Sequence, residues 1–485
     1  MTEAVDGLKP ELFWRYFAEI ACIPRPSKHE ELIARYVLDT AEKLGLRATQ
    51  DGCGNIVVKK PASPGREQVR SICLQAHLDM VCEKNVAKIH DFLKDPIELV
   101  RRGEVLMANG TTLGADNGVG VAANLAVMAD RSLVHGPLEL LFTVDEETGL
   151  TGAQNLDPAL VESRTLLNLD SEEEGMLIVG CAGGRDALGR WQVAFESAPA
   201  HFVACFLSVK GLRGGHSGLE IDKGLGNAIK LLNRAVMRLS AVDARLSTID
   251  GGKMRNAIPR ECGALLFIPR ESVNRAEELV SELNATFRGE LAFVEPDLVV
   301  SMARQDGAGN GKVLVPSLQQ KLCRTIAALP HGVLHMSADI PGLAETSTNL
   351  ASVATTEDDI VLVTSQRSSV ASRLTEAAET VAVIFELGGA RVEASDGYPG
   401  WKPNLASPIL KLAQECHRSL YGKDAEVRAI HAGLECGIIG ERIPGMDMVS
   451  FGPTLEAVHS PDEKIYIESV AKFWEFLLAI LKSSE

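Results

Sequence analysis

Hydrophobic and polar positions change period several times along this chain. Apolar residues recur at helical spacing over residues 10–20 and 30–44, and the Pro24–Pro26 segment ends the first of these helices. Compact apolar runs at 55–59, 71–74, 138–144 and 166–169 are too short for helices and read as strands. The stretch 118–129, rich in Gly, Ala and Val, reads as a small-residue helix. This alternation of strand and helix predicts an α/β domain with a largely covered sheet.

The middle of the chain changes character. The pattern predicts a strand over 203–210, a helix over 226–239, a strand over 261–268 and a helix over 272–287. The order then recurs as strand 360–364, helix 370–385 and strand 390–394, which suggests two related half-units without visible sequence identity. The segment DGYPGWKPN, 396–404, has the Pro/Gly density of a domain boundary. Helical patterns return at 408–421 and 465–481. The expected organisation is therefore a first domain made of 1–186 and 401–485, interrupted by an inserted α+β domain of 187–400.

A length of 485 residues exceeds one ordinary domain and agrees with two. Lys and Arg number 49 against 65 Asp and Glu, a formal charge of −16, so the chain lacks the positive field that nucleic acid or an anionic membrane requires. There is no apolar run of about eighteen residues and no N-terminal signal pattern. The ten cysteines form no Cys-x-x-Cys pair. They read as reduced, mostly buried thiols of a cytoplasmic protein.

Candidate chemistry lies in five segments, each placing a metal-competent side chain at a strand end beside Gly or Asp. They are QAHLDM (His77, Asp79), GTTLGADNGVG (Asp116), FTVDEETG (Glu146, Glu147), LNLDSEEEG (Asp170) and AVHSPDE (His459). Taken singly these are ordinary: a surface pair, a solvated Glu-Glu, a turn, a loop histidine. As a set, two imidazoles and three carboxylates suit two zinc ions. Three carboxylates against two Zn²⁺ leave one positive charge, which a bound hydroxide would match, so the set favours ionising a water. Of Glu146 and Glu147, one can ligate metal while the other shuttles a proton. Asp79 shares a strand face with His77 and can orient its second ring nitrogen.

The set resembles the zinc aminopeptidase/carboxypeptidase superfamily that contains peptidase T, carnosinases and aminoacylases, and more closely the bacterial aminoacyl-histidine dipeptidases. The segments LQAHLDMV, GTTLGADNG, EETGLTGA, LNLDSEEEG, GLRGGHSG, PGLAETSTNLA, HAGLECG and FGPTLEAVHSPDE carry this resemblance over nearly the whole chain. It implies a two-zinc aminopeptidase-like α/β catalytic domain with an inserted lid that also dimerises. It implies His77 and Asp170 on one zinc, Glu147 and His459 on the other, and Asp116 bridging, with Co²⁺ or Mn²⁺ as possible substitutes. Glu146 becomes the general base, acting on a metal-bridging water, and Asp79 the partner of His77. His216 becomes a donor to the developing oxyanion, from its own or a partner subunit. Asn256, Arg367 and Gly433 become substrate contacts, Arg367 through the dipeptide's carboxylate, and His431 and Glu435 fall near the site. The implied activity is a cytoplasmic, homodimeric dipeptidase acting on Xaa-His dipeptides such as carnosine. An N-acyl amino acid hydrolase on the same metals and a non-catalytic binding protein are the alternatives. Two residues depart from the expected pattern, Cys82 and Asp145; like-charge repulsion from Asp145 would raise the pKa of Glu146.

Overall fold

The computed structural model describes residues 2–305 and 311–484, which form two compact units. The first takes Met1–Gly180, Trp401–Ala429 and Leu434–Glu485; the second takes Cys181–Gly400 and Ile430–Gly433.

The first unit is built on an eight-stranded mixed sheet. Its order is Arg47–Gln50, Ile56–Lys60, Leu138–Thr143, Ile72–His77, Thr165–Asn168, Asp447–Ser450, Met176–Cys181 and Glu426–Ile430. The central strands Leu138–Thr143, Ile72–His77, Thr165–Asn168 and Asp447–Ser450 are mutually parallel. Every residue of Ile72–His77 and of Leu138–Thr143 is buried, the mark of strands covered on both faces. Helices Glu11–Ala21 and Ala115–Ala129 pack together beside this sheet and contribute Phe13, Phe17, Ile20, Val119 and Ala122 to its core. The second of these helices must be made of small residues. A Cβ on Gly120 would fall 2.7 Å from the Ala76 Cβ and 2.9 Å from the Leu169 carbonyl oxygen.

The second unit has its own core and a nine-stranded sheet. The main path runs Val299–Arg304, Phe202–Lys210, Cys262–Pro269, Arg245–Gly251, Ala344–Thr355, Asp359–Ser368, Gly183–Gln192 and Arg391–Ala394, with antiparallel neighbours throughout. Helices Ala228–Leu239, Val273–Glu290, Pro316–Ala328 and Ala371–Leu387 join it.

The expected elements of the first 170 residues are present with shifted ends. The middle differs more. A strand, Arg245–Gly251, separates helix Ala228–Leu239 from Cys262–Pro269, and the expected strand 360–364 is half of a long hairpin with Ala344–Thr355. That partner strand carries Thr346, Ser347, Thr348 and Asn349 fully buried, so apolar patterning could not reveal it. The expected boundary at 186/187 falls inside strand Gly183–Gln192. Among the described residues no helix is long and apolar enough to cross a membrane.

Candidate active site

Two central parallel strands end level with one another, and the third ends two residues earlier. His77 pairs with Thr143, and Gln75 with Asn168. Their following loops therefore open on one edge of the sheet, where α/β folds collect reactive groups. His77 closes its strand, Glu146 and Glu147 follow the second strand, and Asp170 follows the third. Asp116 opens helix Ala115–Ala129 with non-helical backbone angles. His459 lies between strands Leu455–Glu456 and Lys464–Tyr466, in the left-handed region at φ 61°.

Asp116 stands at the centre. Its Oδ1 is 3.2 Å from His77 Nε2, and its Oδ2 is 3.1 Å from His459 Nε2. The same His77 nitrogen is 3.4 Å from Asp170 Oδ1, and the same His459 nitrogen is 3.1 Å from Glu147 Oε2. One carboxylate thus turns one oxygen toward each of two histidine–carboxylate pairs. Donor atoms of His77, Asp116 and Asp170 lie within 4.8 Å of one another, as do those of Asp116, Glu147 and His459, and those of His77, Glu146 and Glu147. Among the described residues the Glu146 carboxylate enters no hydrogen bond or ion pair.

The charges of this cluster are strained by burial. Burial favours a neutral His77 ring, yet Asp170, Asp116 and Asp79 outweigh it and lift its pKa well above the ordinary value. Hydrogen bonds to Asp116 and then Glu147 raise His459 to about 11. Burial pushes Asp170 up to about 6 against the pull of His77. Burial also raises Glu146 well above the carboxylate range; His77 opposes this, and Asp170, Glu435 and Glu147 add to it. The Asp145 carboxylate accepts hydrogen bonds from the hydroxyls of Thr148 and Thr151. Two imidazoles facing this surplus of carboxylates can balance it only by holding protons. Divalent metal ions among the same N and O donors would displace those protons, and the donor set fits them.

Asp79 does more than the sequence suggested. Its Oδ1 lies 3.3 Å from His77 Nδ1, within ion-pair reach though off the axis of a good hydrogen bond. The same carboxylate accepts from Ser27 Oγ at 2.7 Å and from the backbone N–H of Glu146 and Glu147 at 3.0 and 3.1 Å. Burial would raise Asp79, but the His77 ring beside it, with the Ser27 hydroxyl and the Glu146 N–H, brings it down to about 2. One carboxylate therefore fixes both His77 and the Glu146–Glu147 turn. Asp79→Asn preserves shape but weakens both holds, and a loss of roughly 10–100-fold in metal affinity is expected in chelator-buffered titration. Unchanged affinity and unchanged kcat would reduce Asp79 to a turn residue.

Several supports escaped the sequence reading, although Glu435 was expected near the site. Glu463 accepts from the N–H groups of Leu113, Gly114, Ala115 and Asp116 at 2.7–3.3 Å, which sets the approach of Asp116. Buried Arg25 donates to the carbonyls of Leu78, Asp79 and Gly114, tying two of the site loops together. Asn117 donates to Asp170. Glu435, fully buried, accepts from Gln75 and Thr143 at 2.5 and 2.7 Å, and burial raises it to about 8. Glu463 and Asn117 sit inside quoted motifs and could have been singled out. Arg25, alone between two prolines, gave no signal.

The remaining predicted residues lie in the second unit. His216 pairs with Ala257, so Asn256 is its neighbour, and the Asn256 carbonyl accepts from the Ser217 N–H at 2.8 Å. His216 Nδ1 accepts from the N–H groups of Gly218 and Leu219 at 3.2 and 3.0 Å. Burial, helped by Arg367, lowers its pKa to about 4. The ring is therefore neutral at neutral pH, with its proton on Nε2 as a donor. Arg367 is buried, and Gly433 lies in the four-residue return 430–433.

Parallel strand ends, a shared carboxylate and paired histidine–carboxylate groups define a metal-dependent hydrolase. Residues 73–483 match the model of peptidase family M20/M25/M40, and the chain belongs to that family. It is a metallopeptidase. It is 42% identical over 480 residues to the cytosol non-specific dipeptidase of Escherichia coli (strain K12), covering 99% of this chain and 98% of that protein. The crystal structure of aminoacylhistidine dipeptidase from Vibrio alginolyticus superposes with a TM-score of 0.90 at 41% identity, covering 99% of this chain and 98% of the other. A tripeptidase from Staphylococcus aureus subsp. aureus mu50, at 18% identity and a TM-score of 0.57 over 98% of each chain, shares the fold.

Proposed function

We propose that this chain is a cytoplasmic, homodimeric dipeptidase that hydrolyses unblocked dipeptides, Xaa-His substrates such as carnosine among them, at a centre of two zinc ions. The observation that carries the reading is the division of Asp116, one oxygen toward His77 and Asp170, the other toward Glu147 and His459. On this reading His77 and Asp170 would hold one ion and Glu147 and His459 the other, with Asp116 facing both. Co²⁺ or Mn²⁺ would also suit these N and O donors. When bound, such ions polarise the scissile carbonyl and acidify a water.

The chain's own residues do the rest. Glu146, whose carboxylate enters no hydrogen bond or ion pair among the described residues, takes a proton from the attacking water and returns it to the leaving amine. Asp79 keeps His77 and the Glu146–Glu147 turn in register. His216 offers its Nε2 proton to the carbonyl oxygen as negative charge builds there. Arg367 receives the dipeptide carboxylate, with Asn256 and the backbone at Gly433 beside the substrate. The similarity to two dipeptidases over nearly the full chain supports a dipeptide substrate, and the name of the Escherichia coli relative supports the cytosol.

The test is a comparison of kcat/KM for carnosine or Ala-His with that for an N-acetyl amino acid. The reading expects the unblocked dipeptides to be favoured by at least about tenfold, the size of one discriminating polar contact. Equal or better turnover of the N-acetyl substrate would make the chain an acylase on the same centre. No turnover of either would make it a binding protein.

A further inference from the structure

Arg367 is a buried guanidinium with a surplus of charge. It is 7% exposed, and its Nε is buried without a partner. Its Nη1 donates to the Tyr398 hydroxyl at 3.0 Å, and it enters no ion pair among the described residues. A buried cation with one neutral partner is costly unless an anion completes it.

The way Tyr398 reaches Arg367 is specific. Arg367 pairs with Gly184 across antiparallel strands. On its other side Gly184 exchanges backbone hydrogen bonds with Tyr398, at 2.9 and 3.0 Å. Gly184 therefore lies between the two, and the tyrosine ring passes over it. A Cβ there would stand 2.8 Å from the Tyr398 hydroxyl oxygen. The ring is also closed in by Gly433, whose own Cβ would come within 2.9 Å of it. Next to Gly433, His431 Nε2 lies 2.7 Å from the Ser347 hydroxyl, and Ser347 is the cross-strand partner of Arg367. Burial, with Arg367 adding to it, lowers His431 to about 4, so that ring stays neutral and does not compensate the guanidinium. Two glycines thus clear a path whose effect is to lay one phenol against one guanidinium nitrogen.

We infer that Tyr398 is a positioning residue: it fixes the Arg367 guanidinium in the orientation that accepts a carboxylate, and so sets the preference for dipeptides with a free C-terminus over their C-terminal amides. This rests on the proposed reading of Arg367 as the carboxylate receptor. The phenol takes up one donor of the fork and prevents it from turning, which leaves the remaining donors for the anion.

The experiment compares Ala-His with Ala-His amide as substrates for the wild-type enzyme, Tyr398→Phe, Arg367→Ala and the double variant. Phenylalanine keeps the ring between Gly184 and Gly433, so the melting temperature should not move. Losing the hydroxyl should raise KM for Ala-His roughly tenfold, one hydrogen bond to a charged group, with kcat and all constants for the amide held. In the Arg367→Ala background the tyrosine change should add nothing. An unchanged acid-to-amide preference in Tyr398→Phe, or an equal loss for acid and amide, would overturn the positioning role. If Arg367→Ala itself leaves the preference intact, the carboxylate reading of Arg367 fails and the inference falls with it. If Arg367→Ala abolishes the preference while Tyr398→Phe retains it, the receptor stands and only the positioning is wrong.

Discussion

Glu146→Gln is expected to lower kcat by about 10²- to 10⁴-fold, the range of a lost general acid–base group, while metal content stays at the wild-type level. The reason lies in the different surroundings of the two adjacent glutamates. Glu147 lies 3.1 Å from His459 Nε2 and belongs to the half of the cluster that includes Asp116. Glu146 has its backbone N–H fixed by Asp79 at 3.0 Å, but its carboxylate is bound to nothing among the described residues. A carboxylate held near the reacting atoms and left free can move a proton in both directions. Both glutamates nevertheless come within ligand range of His77. The matching variant Glu147→Gln therefore serves as the control: it should lose metal. Loss of metal in Glu146→Gln with retention in Glu147→Gln would exchange the two roles. Activity within a few-fold of wild type in Glu146→Gln would remove the base from the mechanism.

Asp116→Ala is expected to have the other large effect, because its two oxygens face the two histidine–carboxylate pairs at 3.1–3.2 Å. On the proposed two-ion reading, removing this group should lower the occupancy of both ions, whereas Asp170→Ala should lower one. The activity loss in Asp116→Ala should reach about 10³-fold, since metal polarisation supplies several kcal/mol and each 1.4 kcal/mol is tenfold. Metal content and kcat from the same preparation check this. Loss of half the metal with half retained would mean that Asp116 serves one ion only, and that its second oxygen merely orients His459.

Much of this site is legible in the sequence because its members end buried strands. An apolar run that stops at His77, Thr143 or Asn168 marks where the sheet opens, and the polar residues just beyond stand out against it. Asp116 and His459 were also expected at strand ends, but Asp116 opens helix Ala115–Ala129 and His459 lies between two short strands outside the main sheet. The supports were harder to see. Glu463 acts by gathering four backbone N–H groups from a loop about 350 residues away in sequence, and Arg25 by holding carbonyls. Such bonds leave no periodic trace. The fold shows the same division. The covered parallel sheet announces itself in runs such as LELLFT, whereas Ala344–Thr355 buries hydroxyls and an amide and looks like a loop. Tyr398 sits in a segment whose Pro/Gly content reads as a mere linker. Its contact with Arg367 follows from the pairing of Gly184 with both, a fact of register that no local pattern encodes.

The central claim is that the two halves joined at Asp116 hold two metal ions that catalysis requires. The most direct measurement is metal content by plasma mass spectrometry on the purified chain, with carnosine hydrolysis followed before chelation, after it, and after adding back zinc, cobalt or manganese. The account predicts about two ions per chain, activity lost with them, and activity restored by their return. Full activity in metal-free protein would contradict it.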